Sequence, residues 1–122
     1  MTEYIKIPYF ENNNGIARLF RAVSADEFYS IMESKKFSLP PDKSTNVKYF
    51  GIDFDETVAF ANKIQFIDIV AVVEVGISHD VLLQIGDFTH VDIYLFKKGT
   101  VIIQAEYLSD FNNNIKYLKH KL

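Results

Sequence analysis

The chain has no cysteine. That removes disulfides, thiol nucleophiles and cysteine-bearing zinc sites together, and it fits a reducing compartment. His79, His90 and His120 lie too far apart for a local zinc motif, so no metal site is expected. A cationic excess is missing too. The formal net charge is -3 and the pI near 5.5, whereas a general nucleic-acid binder needs a concentrated basic surface to displace counterions from phosphates. No apolar run has the length of a bilayer span, and Met1 leads into Thr2, Glu3 and Tyr4 rather than into a basic and then apolar segment. Neither a membrane anchor nor an export signal is expected. Internal repeats are lacking, and the asparagine runs at 12–14 and 112–114 are short enough to be solvated connectors. These absences together suit a cytoplasmic site of action, including the cytoplasm of a target cell into which the protein is delivered.

What is present suffices for one core. The hydrophobic fraction of 48%, aromatic fraction of 15% and charged fraction of 24% are those of an ordinary globular domain. A chain of 122 residues divided between two cores would leave each near the lower limit of independent stability. One domain over residues 1–122 is expected, with residues 1–15 and 113–122 as peripheral terminal segments.

The local patterns alternate between strand and helix. Asn14-Gly15 favours a turn between an N-terminal segment rich in Tyr4, Ile5, Ile7, Tyr9 and Phe10 and a strand. In that strand Leu19, Arg21 and Val23 share one face, and Phe20 and Ala22 the other. Ser24-Ala25-Asp26-Glu27 has capping-box spacing, and Phe28, Ile31, Met32 and Lys35 follow at helical intervals, predicting a helix over about 25–35. Leu39-Pro40-Pro41-Asp42 ends the helical geometry and opens an exposed loop to about Asn46. Residues 47–52 read as a short strand. Asp53 as N-cap with Glu56 at N3 then begins a helix through Ile64, with Phe54, Val58 and Ala61 on its apolar stripe.

Further on, the β-branched run Ile69-Val70-Ala71-Val72-Val73 predicts a central strand covered on both faces, within residues 67–77. A helical turn is expected at about 79–85, then a hairpin of residues 91–96 and 101–105 around Lys97-Lys98-Gly99-Thr100. Ile115, Leu118 and Leu122 fall at helical spacing with Lys116, Lys119, His120 and Lys121 between them, predicting a basic C-terminal helix. The order of elements favours an α+β fold. Leu19, Phe28, Ile31, Met32, Phe54, Val58, Ala61, Val70 and Val72 are the expected core.

Four stretches carry a resemblance: Leu19-Phe20-Arg21-Ala22-Val23-Ser24, Lys48-Tyr49-Phe50, Asp55-Glu56-Thr57-Val58-Ala59-Phe60-Ala61, and Glu106-Tyr107-Leu108-Ser109-Asp110-Phe111-Asn112. Together, over about residues 16–112, they resemble small bacterial ADP-ribosyltransferase-like domains. The resemblance implies a split β-sheet core with flanking helices. It also implies NAD as co-substrate, held in a cleft between two small sheets by a first-strand arginine or histidine, with a later glutamate supporting ADP-ribose transfer. Arg21 matches the first role, since a guanidinium offers directed bonds to phosphate; its alternative is a strand-edge salt bridge. Tyr49 would give an aromatic face to a base, with Phe50 pointing the other way into the core. Gln104-Ala105-Glu106 matches the glutamine-x-glutamate pattern of some transferases. Strand alternation would put Glu106 beside Gln104, the first stabilising positive ribose character and the second positioning an acceptor; the alternative for Glu106 is the start of a surface turn or a cap for the segment before Leu108.

Other polar residues offer alternatives. Glu74 interrupts an apolar strand and would need a partner such as Arg18 or Arg21, protonation, or a wet cleft. The serine-rich second motif of the arginine-containing subclass is replaced here by Phe50-Gly51-Ile52-Asp53, with Ser44-Thr45 just upstream. His90 and Asp92 would share a strand face, yet no serine elbow accompanies them as a hydrolase triad requires. Two functions follow as expectations. One is an NAD-dependent mono-ADP-ribosyltransferase-like domain, a bacterial toxin effector acting on a protein acceptor, with NAD glycohydrolysis as its variant. The other is a noncatalytic, immunity-type module on a related scaffold that binds a cognate protein partner.

Overall fold

A computed structural model describes residues 15–39, 47–63, 68–89 and 96–121. Gly15, at φ 81°, takes the left-handed turn expected of Asn14-Gly15 and leads into β1 (Ile16–Ser24). The Ser24 hydroxyl accepts the Glu27 amide and starts α1 (Ala25–Ser34), which stops one residue short of the predicted end because Lys35 turns left-handed at φ 61°. Strand β2 (Val47–Gly51) follows. The Asp53 carboxylate then accepts the Glu56 amide at 3.0 Å, as an N-cap should, and α2 (Phe54–Lys63) begins.

The remaining described elements are β3 (Ile69–Ser78), α3 (His79–Ile85), β4 (Gly86–Thr89), β5 (Thr100–Gln104), a single 3-10 turn (Ala105–Tyr107), α4 (Leu108–Asn113) and β6 (Ile115–Lys121). The fold is mixed α+β, with a six-stranded antiparallel sheet in the order β4-β5-β2-β1-β3-β6. No helix among the described residues is long and apolar enough to cross a membrane.

Strand alternation assigns the two faces. Leu19 and Val23 of β1, Val73 and Val75 of β3, and Val101 and Ile103 of β5 are fully buried on one face, under Ile31 of α1, Leu82 of α3 and Phe111 of α4. The other face carries Phe20, whose ring meets Phe54 of α2 edge-on at 5.8 Å. On that same face the Tyr117 ring lies across the backbone of Gly76, where a methyl group would overlap it.

Several expectations need correction. The C-terminal segment is not a peripheral basic helix but the edge strand β6, paired with β3 from Val72 to Ile77. Leu118 and His120 point toward the helical layer, where the His120 ring meets Phe28 at 5.0 Å, and Tyr117 and Lys119 point away. Completing the hydrogen-bonding edge of β3 outweighs a weak helical spacing. Strand β3 is interior, between β1 and β6, and Ala71, Val72 and Val73 are buried as a strand covered on both faces requires, but it stands one place from the edge of the sheet and Val70 is exposed rather than core. The partner of β5 on its outer side is β4, for which the sequence carried no assignment. The expected N-terminal segment, the 40–46 loop with Ser44 and Thr45, Ile64, residues 91–95 of the hairpin, His90 and Asp92 lie outside the described residues.

A candidate ligand-binding cleft at the β1–β2 seam

The sheet has a weak seam. Strand β1 pairs with β3 from Ile16 to Ser24, and β2 with β5 along its whole length, but β1 and β2 share the single register pair Phe20–Gly51. Beyond that pair toward Ser24 and Val47 the ladder is interrupted, and the Arg21 guanidinium takes its place. Its Nη1 donates to the Tyr49 carbonyl at 2.9 Å, satisfying an acceptor that a strand neighbour would otherwise have met.

A cavity of about 470 Å³ opens at this seam, within the size range of small-molecule sites. Its wall is largely apolar and includes the rings of Phe20, Tyr49, Phe60 and Phe96, while Arg21 and Glu27 supply the charge. Phe96 packs on Phe60 of α2 at 5.2 Å. The turn that carries Phe96 is tied to the start of α2: Lys98 Nζ bonds Asp53 at 2.9 Å, and the Lys98 amide donates to the Glu56 carboxylate. Gly51 faces Thr57 and Phe96 so closely that any side chain there would overlap the Thr57 hydroxyl. This is a steric reason for glycine at position 51.

Arg21 and Tyr49, expected at a cleft, do meet at this one. Tyr49 is 44% exposed, and its neighbours Lys48 and Phe50 turn inward, as alternation required. Gln104 and Glu106 are not part of the wall. Gln104 ends β5 opposite Val47 and donates to Asp87 at 3.0 Å. Glu106 does not continue the strand face: β5 stops at Gln104, and Glu106 sits exposed in the 3-10 turn. Of its two readings, the surface turn is the one the structure has, not the shared strand face with Gln104. Glu74 faces away from the helical layer and finds the partner proposed for it, Arg18 at 3.0 Å, together with the Tyr117 hydroxyl at 2.6 Å. Burial and the ionised Glu74 beside it push the Tyr117 phenol up to about 12. Among the described residues no group of histidine and carboxylate side chains is arranged to hold a metal.

The carboxylate that sequence reading missed at the cavity is Glu27. It receives Arg21 Nε at 2.6 Å, Arg21 Nη2 at 3.1 Å and Lys48 Nζ at 3.2 Å, and Lys48 is almost fully buried. The available signal was an arginine on the first strand followed six residues later by a helix-N3 glutamate. Its capping role looked sufficient and hid the second one.

Burial disfavours the charged Glu27, but the hydrogen bonds and charges of Arg21 and Lys48 outweigh it and hold the carboxyl below its usual value of 4.5. For Lys48, burial and the repulsion of Arg21 outweigh the attraction of Glu27, and its pKa falls below 10.5. A carboxyl whose folded pKa lies below its unfolded value adds stability above the unfolded value, and this is lost as pH falls through the folded one. Glu27→Gln is therefore expected to lose less stability than the native chain on acidification. Urea titrations from neutral to acid pH check this, and parallel acid limbs would remove Glu27 as a contributor. No family model, curated protein or solved structure matched this chain.

Proposed function

We propose that this domain binds NAD, or a nucleotide of that chemical class, in the seam cavity, on an ADP-ribosyltransferase-like scaffold. The observation that carries the reading is that Arg21 and Tyr49 both line this cavity, beside a sheet joined at its seam by one register pair. Tyr49, Phe20 and Phe60 give flat apolar surface to a base or a nicotinamide ring, and Arg21 offers charged hydrogen bonds to phosphate.

Transfer of ADP-ribose to a protein acceptor, or its hydrolytic variant, further requires a carboxylate at the ribose. Glu106 lies off the wall, and Glu27 is shared by two cations. This favours the second reading, a noncatalytic module that holds the nucleotide or a cognate protein partner without breaking the nicotinamide bond.

Calorimetric titration with NAD tests the reading, together with an assay for released nicotinamide. NAD is expected to bind, and Arg21→Ala to weaken it about tenfold or more, the scale of a lost charged hydrogen bond. Folded protein with no affinity for NAD would refute the proposal. Binding with nicotinamide release that Glu106→Gln abolishes favours transfer, and binding without release favours the noncatalytic module.

A further inference from the structure

Glu27 stands at N3 of α1, where local logic would send its carboxylate back to the helix N-cap. It reaches instead across to β1 and β2, gripping Arg21 through Nε and Nη2 and sharing Lys48 Nζ. The Tyr49 carbonyl takes a third Arg21 bond, from Nη1. A guanidinium carries five N–H groups. The three contacts leave two of them unengaged among the described residues, on a side chain that lines the cavity. With two cations and one carboxylate, the cluster of Arg21, Lys48 and Glu27 carries a net charge of +1.

We propose that Glu27 is a positioning residue of the cleft: it fixes Arg21 so that its remaining N–H groups are offered to an anionic group of the ligand, while Lys48 keeps the cluster positive. This rests on the nucleotide reading of the cavity. An arginine already immobilised loses little freedom when it binds, so the grip favours the ligand. Coulomb attraction alone acts in the opposite sense. Removing the Glu27 charge takes the cluster from +1 to +2, and a site working only through charge would then bind an anion more tightly. The sign of the change separates orientation from charge.

The test uses the full chain, with inorganic pyrophosphate and NAD as titrants. Nuclear magnetic resonance of the Arg21 Nε–H reports on the ligand-free protein. In the native chain that proton is expected to be protected from exchange, and in Glu27→Gln the protection is lost. Pyrophosphate is expected to bind Glu27→Gln roughly tenfold more weakly, the scale of forfeited preorganisation and charged bonds. Glu27→Asp retains the charge but is one methylene too short for the fork. It should lose affinity similarly, and it carries the test if Glu27→Gln does not fold. Unchanged or tighter binding in a folded variant overturns the positioning role and leaves the nucleotide reading standing. A native chain that binds neither pyrophosphate nor NAD overturns both.

Discussion

Phe111→Ala should lower the unfolding free energy by about 3–5 kcal/mol, the range for deleting a fully buried aromatic ring whose cavity cannot collapse. Phe111 of α4 has no exposed surface, stacks on Phe50 of β2 at 5.0 Å and meets Phe37 edge-on at 5.7 Å. Phe37 and Phe50 also touch, at 5.2 Å. Each ring is therefore held by the other two, and removing Phe111 takes from both an aromatic contact that they cannot replace. A domain of this size has a total stability of about 5–15 kcal/mol, so the loss is a large share of it. Phe28→Ala provides the contrast, because Phe28 is only half-buried against the core and His120, and it should cost less. Urea titration of the two variants measures the difference, and equal costs would mean that the three-ring cluster is not the better-packed part of the core. The site should feel the loss as well, since Phe50 lies between Tyr49 and Gly51 on the strand that forms one wall of the cavity.

Local signals in the sequence that depend on neighbours in the chain were good guides. The Ser24 and Asp53 caps, the strand alternation around Arg21, and the inward Phe50 beside the outward Tyr49 all rest on contacts within a few residues, and the structure has them. The errors fall where a distant partner decides. Ile115 and Leu118 have helical spacing, but β3 offers them a strand edge. Val70 sits in a run of β-branched residues yet lies near the exposed start of β3. Val58 and Ala61 are only partly covered because, among the described elements, α2 alone packs against that face of the sheet.

The candidate site divides in the same way. Tyr49 was legible because alternation beside the inward Phe50 gives its direction, and Arg21 because the resemblance gave its place; strand alternation alone assigns Arg21 to the face of Leu19 and Val23. For Glu106 the sequence allowed both a strand face and a surface turn, and the turn holds because β5 ends at Gln104. Glu27 escaped notice. Its position in a capping box explains the residue without reference to Arg21 or Lys48, and only the fold brings β1, β2 and α1 close enough for one carboxylate to serve both cations. Two glutamates at N3 behave alike here. Like Glu27, Glu56 uses its carboxylate away from its own cap, accepting the Lys98 amide in the turn that carries Phe96.

Asn112→Asp is expected to cost about 2–4 kcal/mol near neutral pH, although the two side chains have nearly the same shape. The Asn112 amide acts as a piece of strand backbone for the irregular segment after α1: its Oδ1 accepts the Phe37 amide and its Nδ2 donates to the Phe37 carbonyl, both at 2.8 Å. An aspartate can still accept from the amide, but its other oxygen then faces the Phe37 carbonyl, setting two acceptors against each other in a part-buried place. The Phe37 ring is fully buried against Phe50 and Phe111, so the segment cannot move away without uncovering it. Protonation would return the missing donor, which raises the folded pKa of the introduced carboxyl above its unfolded value. Its stabilising contribution is then present below the unfolded pKa and lost as pH rises through the folded one. The deficit of Asn112→Asp relative to the native chain should therefore shrink on acidification, while that of Asn112→Ala, which cannot recover a donor, stays nearly constant. Paired urea titrations at neutral and acid pH measure both. A deficit for Asn112→Asp that does not narrow would mean that the Nδ2 bond to Phe37 contributes nothing to holding the Phe37 segment against the strand behind Tyr49.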